Sequence, residues 1–342
     1  MRQFFPAFSE VSDVAGDGCP RKQRLILIKM RLAKAILILA LLLGAPVFDG
    51  AARAADAAAP AGAVGETQKS PAVQEEHGVA PKAAEVGRIG GFIITNSMIA
   101  TWIVAIALII FAQIATRNIQ QVPAGAQNFW EWLVEGLHNF LEGIIGHELV
   151  QRTFWFFATI FIFILFANWG GLIPGIGTIG YGVNTAHGFK VEEPWFRGVN
   201  ADLNMTLAMA LVFFACWIFW AFQANGLLGF LKHLFAPKGE SSGPLKLLLI
   251  VVFFAVGFLE IFSILFRPIS LSFRLYGNIF AGENMLESMS NLVPGLGWLL
   301  PIPFYFMELL VGVIQALVFM LLTAVFTMLI MPHDEGHEKA HH

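Results

Sequence analysis

From Pro244 to about Leu292 the chain runs for 49 residues in nearly continuous, helix-compatible and mostly apolar sequence. At about 1.5 Å per residue such a helix would be roughly 70 Å long, more than twice the hydrocarbon core of a bilayer. The segment must be broken, strongly tilted, or both, and Pro268 is placed to kink it. Two perpendicular crossings also fit its length. The next connection, VPGLGWLLPIP from Val293 to Pro303, is short, and counting the long segment as one tilted crossing makes it the first arm of a helical hairpin.

Other apolar runs reach the roughly 18 to 20 residues that a membrane span requires. They are about Phe92 to Ala115, Thr153 to Ile173, Leu203 to Phe222 and Phe304 to Met331. With 57% hydrophobic residues and a mean hydropathy of +0.69, the expected fold is an all-α polytopic membrane protein with about five crossings. Between the first two spans, Gln127 to Leu149 alternates apolar positions 129, 133, 137, 140, 141, 144 and 145 with Glu131, Glu135, His138 and Glu142. That is the pattern of an amphipathic helix on the membrane surface or against the bundle, its charges on a solvated face. A net charge of -3 argues against nucleic acid as a partner. Only Cys19 and Cys216 are present, so neither a disulfide framework nor a thiol metal site is supported.

The long apolar segment carries charges that a bilayer opposes. Arg274 lies in its middle, with Ser270, Ser272, Asn278 and Gly282 nearby and Glu283 and Glu287 beyond. An ionised group at bilayer depth costs about 2.5 to 3.5 kcal/mol even on insertion scales, so one kept there marks an ion path or a proton relay. At about 100° per residue, Asn278 falls about 40° from Arg274, Ala281 about -20° and Gly282 about 80°. Small residues thus flank the arginine, and a partner helix could approach closely. Glu283 falls at about 180°, with Glu287 one turn later. One face can meet a partner while the other reaches into the protein's own bundle.

At the N-terminus, Arg31 and Lys34 precede the apolar run Ala35 to Val47 and the small residues around Ala54 and Ala55. This reads as a secretory signal peptide over 30–55. Residues 1–29 read as an upstream extension, with Met30 as a candidate start. Residues 56–90, rich in Ala, Pro, Gly and Glu, read as a flexible tether. A membrane domain over 91–332 and a solvated tail over 333–342 follow. A cleaved signal leaves the N-terminus outside, and five crossings then put the C-terminus in the cytoplasm. Asp202 or Asn200 is placed to cap the third span, and Lys232, His233 and Lys238 are expected in the loop after it.

SLSFRLYGNIFAGE resembles the signature of subunit a of the F-type ATP synthases, the membrane stator beside the rotating ring of c subunits. FANWGGLIP from Phe166, ADLNMTLAMAL from Ala201, and Glu308 with Gln315 seven residues later resemble further pieces of that family in order and spacing. The resemblance spans about residues 90 to 332. It implies a proton path of two offset half-channels, with Arg274 as the essential arginine, Asn278 beside it, and Glu283, Glu308 and Gln315 as channel residues. Glu260 matches another polar position of the family. Glu287, Asn168, Asp202 and Asn204 are further lining candidates, with capping as the alternative for Asp202. Relatives often pair Glu at one of the Glu283 and Glu308 positions with His at the other; here both are Glu. Most relatives also lack the leader.

The implied partners are the c ring, b-type peripheral stalk subunits, the remaining ATP synthase complex and membrane lipids, in a bacterial inner membrane. No cofactor or metal is implied. No GxxxxGK[ST] phosphate loop occurs in the sequence, so ATP chemistry belongs to partners. A proton-coupled carrier is the principal rival, but the chain shows no two related halves with matching breaks.

Overall fold

The computed structural model describes residues 83–330, apart from 90–91, 118, 121, 174, 177–178, 186–187, 236–243 and 294–295. The expected leader, most of the expected tether, and the tail over 333–342 lie outside the described residues. A hairpin of β1 (Glu85–Ile89) and β2 (Phe92–Thr95) leads into helix α1 (Asn96–Ala115). Then come α2 (Ala126–Ile145), α3 (His147–Gly171), a second hairpin of β3 (Gly180–Thr185) and β4 (Gly188–Pro194), and a 3₁₀ turn at Val199–Ala201. Helices α4 (Leu203–Phe235), α5 (Pro244–Leu292) and α6 (Ile302–Ile330) follow.

Among the described residues, five helices are long and apolar enough to cross a membrane: Asn96–Ala115, His147–Gly171, Leu203–Gly226, Val252–Leu292 and Ile302–Ile330. The chain is a helical polytopic membrane protein, as its composition predicts. The long segment is a single helix with Pro268 inside it. Its 41-residue candidate span would measure about 60 Å, so as one crossing it must run obliquely through a core of about 30 Å.

Three expectations are modified, two of them by the first hairpin. Residues 85–89 are a strand and not tether, and Phe92–Thr95 is a strand and not the start of the first span. Ile89 pairs with Phe92 in this antiparallel hairpin. A five-residue strand is too short to show a period. Third, α4 runs on to Phe235, through a non-helical backbone at Gly226 (φ 65°, ψ 168°), and so contains Lys232 and His233, which the sequence reading put in a loop. Only glycine takes that conformation at low cost, and helical sequence resumes on either side of it.

The core forms around α3, whose Phe157, Ala158, Ile162, Phe163 and Ile164 are fully buried. Helices α1, α2 and α6 pack against it. The α2 helix buries Trp130, Val134, Leu137, Leu141 and Ile145, and with them Gln127 and Glu131. Glu131 therefore does not belong to the solvated face expected for it. It accepts a 2.8 Å hydrogen bond from Gln127 Nε2, a polar pair that can be buried together. Phe129 and Phe140, expected on the buried stripe, are exposed along with Trp132. Trp130 and Val134 take their place because the helix has turned about one residue relative to the expected face.

Helix α5 packs its Ile264, Leu271, Leu275, Ile279 and Leu286 inward, chiefly against α4. Its outer face leaves Phe254, Phe258, Phe262, Phe266 and Phe273 exposed. An apolar surface of this extent belongs against lipid or a partner.

Candidate functional site

Two regions of α5 carry the charges, and they face different ways. Arg274 is exposed, as are Ser270, Phe273, Asn278 and Ala281 around it, while Leu271, Leu275 and Ile279 on the other side are buried. This is the partition expected from the 100° step. An open pocket of about 230 Å³ lies beside the arginine, lined by Ser263, Arg267 and Ser270 of α5 and by Leu322 and Phe326 of α6, among others. Arg267 turns inward, its guanidinium 4.5 Å from the Phe326 ring centroid and 5.7 Å from that of Trp217. Its delocalised charge suits such stacking.

The second region lies at the other end of the bundle. Here α1, α4 and α6 begin and α3 and α5 end, so a single membrane end gathers residues distant in sequence. Glu308, in the second turn of α6, is 6% exposed. Its carboxylate sits against Gly282 of α5, where a Cβ would overlap it. Glu283, the next residue, reaches the backbone of Gly198, which hydrogen-bonds its carboxylate. A Cβ on Gly198 would meet Glu283 Oε1, and one on Gly171 would meet the Gly198 Cα at 2.9 Å. Three glycines thus permit the approach of α3, α5, α6 and the loop before α4. Glu283 has Arg197, Glu308 and Glu287 as electrostatic neighbours.

A buried polar network continues from this pair. Asn200 Nδ2 donates to Asn168 Oδ1 at 2.6 Å, and Asn168 Nδ2 donates to the Gly312 carbonyl at 3.1 Å. Trp169 Nε1 donates to the Leu309 carbonyl at 3.2 Å. Ser97 Oγ donates to Asp202 Oδ2 at 2.5 Å, and Asp202 Oδ1 accepts from the Asn204 backbone N–H at 3.0 Å. Asp202 is thereby the N-cap of α4, satisfying one of the donors that a helix start leaves unpaired. Among the described residues, the buried side-chain atoms without a hydrogen-bond partner are Asn96 Oδ1, Arg197 Nε and Nη2, Asn200 Oδ1 and Glu308 Oε1. All belong to this end of the bundle.

The structure thus brings Glu283, Glu308, Glu287, Asn168 and Asp202 to one end, and sets Arg274 and Asn278 on the outer face. Gln315 is buried on the inner side of α6. Glu260 does not join the carboxylate pair; it is an electrostatic neighbour of Arg267 and lies 23 residues before Glu283, about 35 Å along the helix. Asn204 is partly buried, and its contact is the backbone bond to Asp202. Sequence reasoning did not single out Arg197, which is 6% exposed. An arginine in a loop sequence such as EEPWFRG carries no periodic signal, and its burial depends on where α5 comes to rest.

A bundle of helices long and apolar enough to span a membrane, with an exposed arginine on its longest member and two neighbouring inward carboxylates behind it, defines a polytopic membrane protein with ionisable groups set within its candidate spans. Comparison with known proteins makes the assignment specific. Residues 98–328 match the family described as ATP synthase A chain. ATP synthase subunit a of Gloeobacter violaceus is 35% identical over 243 residues, covering 71% of this chain and 86% of that protein. The subunit a of Helicobacter hepaticus is 32% identical over 69% of this chain and 90% of its own length. That of Trichlorobacter lovleyi is 34% identical over 68% and 85%. The chain belongs to the ATP synthase subunit a family. It is a membrane subunit of the proton-transporting sector and not by itself an enzyme.

Proposed function

We propose that this chain is the stator of a rotary proton path, made of two offset half-channels joined only by rotation of a c ring that carries one carboxylate per subunit. Arg274 faces the ring. Arginine suits the position because its guanidinium stays charged where a desolvated lysine could lose its proton. It favours the ionised form of each passing carboxylate and blocks direct leakage between the half-channels. Glu283 and Glu308 are the relay carboxylates of one half-channel, with Glu287, Asn168 and Asn204 along its lining. Asn278 and Gln315 position the arginine or water at the rotor face, and Glu260 serves the opposite half. Asp202 contributes by holding the start of α4 in place.

The observation that carries this reading is the opposition on one helix of an exposed Arg274 and an inward Glu283 beside Glu308. The concentration of buried polar atoms with unmet hydrogen-bonding capacity around that pair supports a hydrated passage. A proton crossing 100 mV carries about 2.3 kcal/mol, so several must pass for each ATP formed. In this reading b-type stalk subunits hold the stator, the N-terminus is outside, and the C-terminus is in the cytoplasm of a bacterial inner membrane.

The test is ATP-driven proton pumping in membrane vesicles carrying Arg274→Ala, with assembly checked by co-purification of the ring. Pumping is expected to fall to background in an intact complex. Undiminished coupled pumping would sink the mechanism.

A further inference from the structure

Arg197 is a cation buried in the loop before α4. Taking a guanidinium out of water costs several kcal/mol unless charge and hydrogen bonds compensate. Its Nε and Nη2 find no hydrogen-bond partner, and its guanidinium carbon lies 5.8 Å from the centroid of the Phe280 ring. Phe280 stands three residues before Glu283 on α5 and holds the cation over that side of the helix. Glu283 and the Tyr276 hydroxyl are its electrostatic neighbours; Asp202 in turn lies near Tyr276, and Glu308 and Glu287 near Glu283. Asp202 is engaged through both oxygens, capping α4 and accepting from Ser97. Glu308 is held against Gly282. Glu283 is the carboxylate that this loop meets directly, with Arg197 as its charge neighbour and the Gly198 backbone as its hydrogen-bond donor.

We infer that Arg197 is a positioning residue for Glu283, a second functional arginine that keeps this carboxylate ionisable and aimed at Glu308. The inference rests on the relay role proposed for Glu283. An adjacent cation stabilises the ionised carboxylate, so that Glu283 can release a proton as well as accept one inside the bundle. Gly198 belongs to the same device, because any side chain there would occupy the place of the Glu283 carboxylate.

The experiment measures ATP-driven proton pumping by the whole complex in vesicles carrying Arg197→Gln, Arg197→Lys, Glu283→Gln, and Arg197→Gln with Glu283→Gln, each with ring co-purification quantified. Arg197→Gln is expected to lower pumping about five- to tenfold per assembled complex, and Arg197→Lys to restore at least half of it. In the Glu283→Gln background, Arg197→Gln should add less than a twofold further loss. Pumping at the native rate in Arg197→Gln, failure of lysine to rescue, or fully multiplicative losses in the double variant would each overturn the inference while leaving the relay reading intact. Native pumping in Glu283→Gln would instead remove the relay reading and the inference with it. Should Arg197→Gln not assemble, Phe280→Leu keeps both charges and removes the ring beneath the guanidinium. A two- to threefold loss in the assembled Phe280→Leu complex supports the inference, and native pumping overturns it.

Discussion

The Glu308 carboxylate occupies the space that a side chain at Gly282 would take, so a residue of α6 is seated against the backbone of α5 one position before Glu283. A single methyl group at Gly282 has to displace the carboxylate or part the two helices. Gly282→Ala is therefore expected to lower proton pumping at least fivefold in complexes that still contain the ring. Gly136→Ala, on the exposed side of α2 where a Cβ meets nothing, should leave pumping unchanged and strengthen its helix by up to about 1 kcal/mol.

Asp202 and Glu308 should respond in opposite ways to loss of charge. Removing the Asp202 side chain unties the α4 cap and the Ser97 hydroxyl, so Asp202→Ala is expected to cost about 1 to 3 kcal/mol of stability. Thermal unfolding of the solubilised complex would register it, while pumping per assembled complex stays within about twofold of native. A pumping defect beyond that would make Asp202 a channel residue.

Glu308→Gln retains the shape of the side chain and removes its proton. Pumping should fall more than tenfold at unchanged ring content if this carboxylate is part of the relay. Glu260→Gln removes a carboxyl group 23 residues from Glu283 on the same helix, and the smaller of the two losses is expected there. Equal or reversed losses, measured side by side in vesicles, would count against placing the relay at Glu308.

Asn168 joins three elements, accepting from Asn200 and donating to the Gly312 carbonyl. Asn168→Ala leaves the buried Asn200 amide without its acceptor and takes one of two donors from the Gly312 carbonyl, which should cost about 1 to 3 kcal/mol. The loss should appear as lowered thermal stability and as reduced recovery of the complex.

Much of this was open to inspection in the sequence. Runs of apolar residues set the number of spans because a bilayer leaves no other place for them, and the helical repeat alone put Arg274 and Glu283 on opposite sides of α5. The period failed where the signal was short or divided. It misplaced the buried face of α2 by about one residue and so exposed Glu131, and it did not show the first hairpin, because four or five residues cannot establish an alternation.

By itself, then, the sequence determined the class of protein, most of its helices and the face of α5 that carries Arg274, since these follow from hydropathy and a 3.6-residue repeat within single segments. Tertiary structure alone decided that Glu308 meets Gly282, that Asp202 spends both oxygens on a cap and a serine, that Glu260 stays apart, and that Arg197 is buried beside Glu283. Each of these depends on which helix ends meet at one face of the bundle. Contacts among residues a hundred positions apart are set by packing, where the absence of a Cβ at Gly171, Gly198 and Gly282 is as decisive as any side chain.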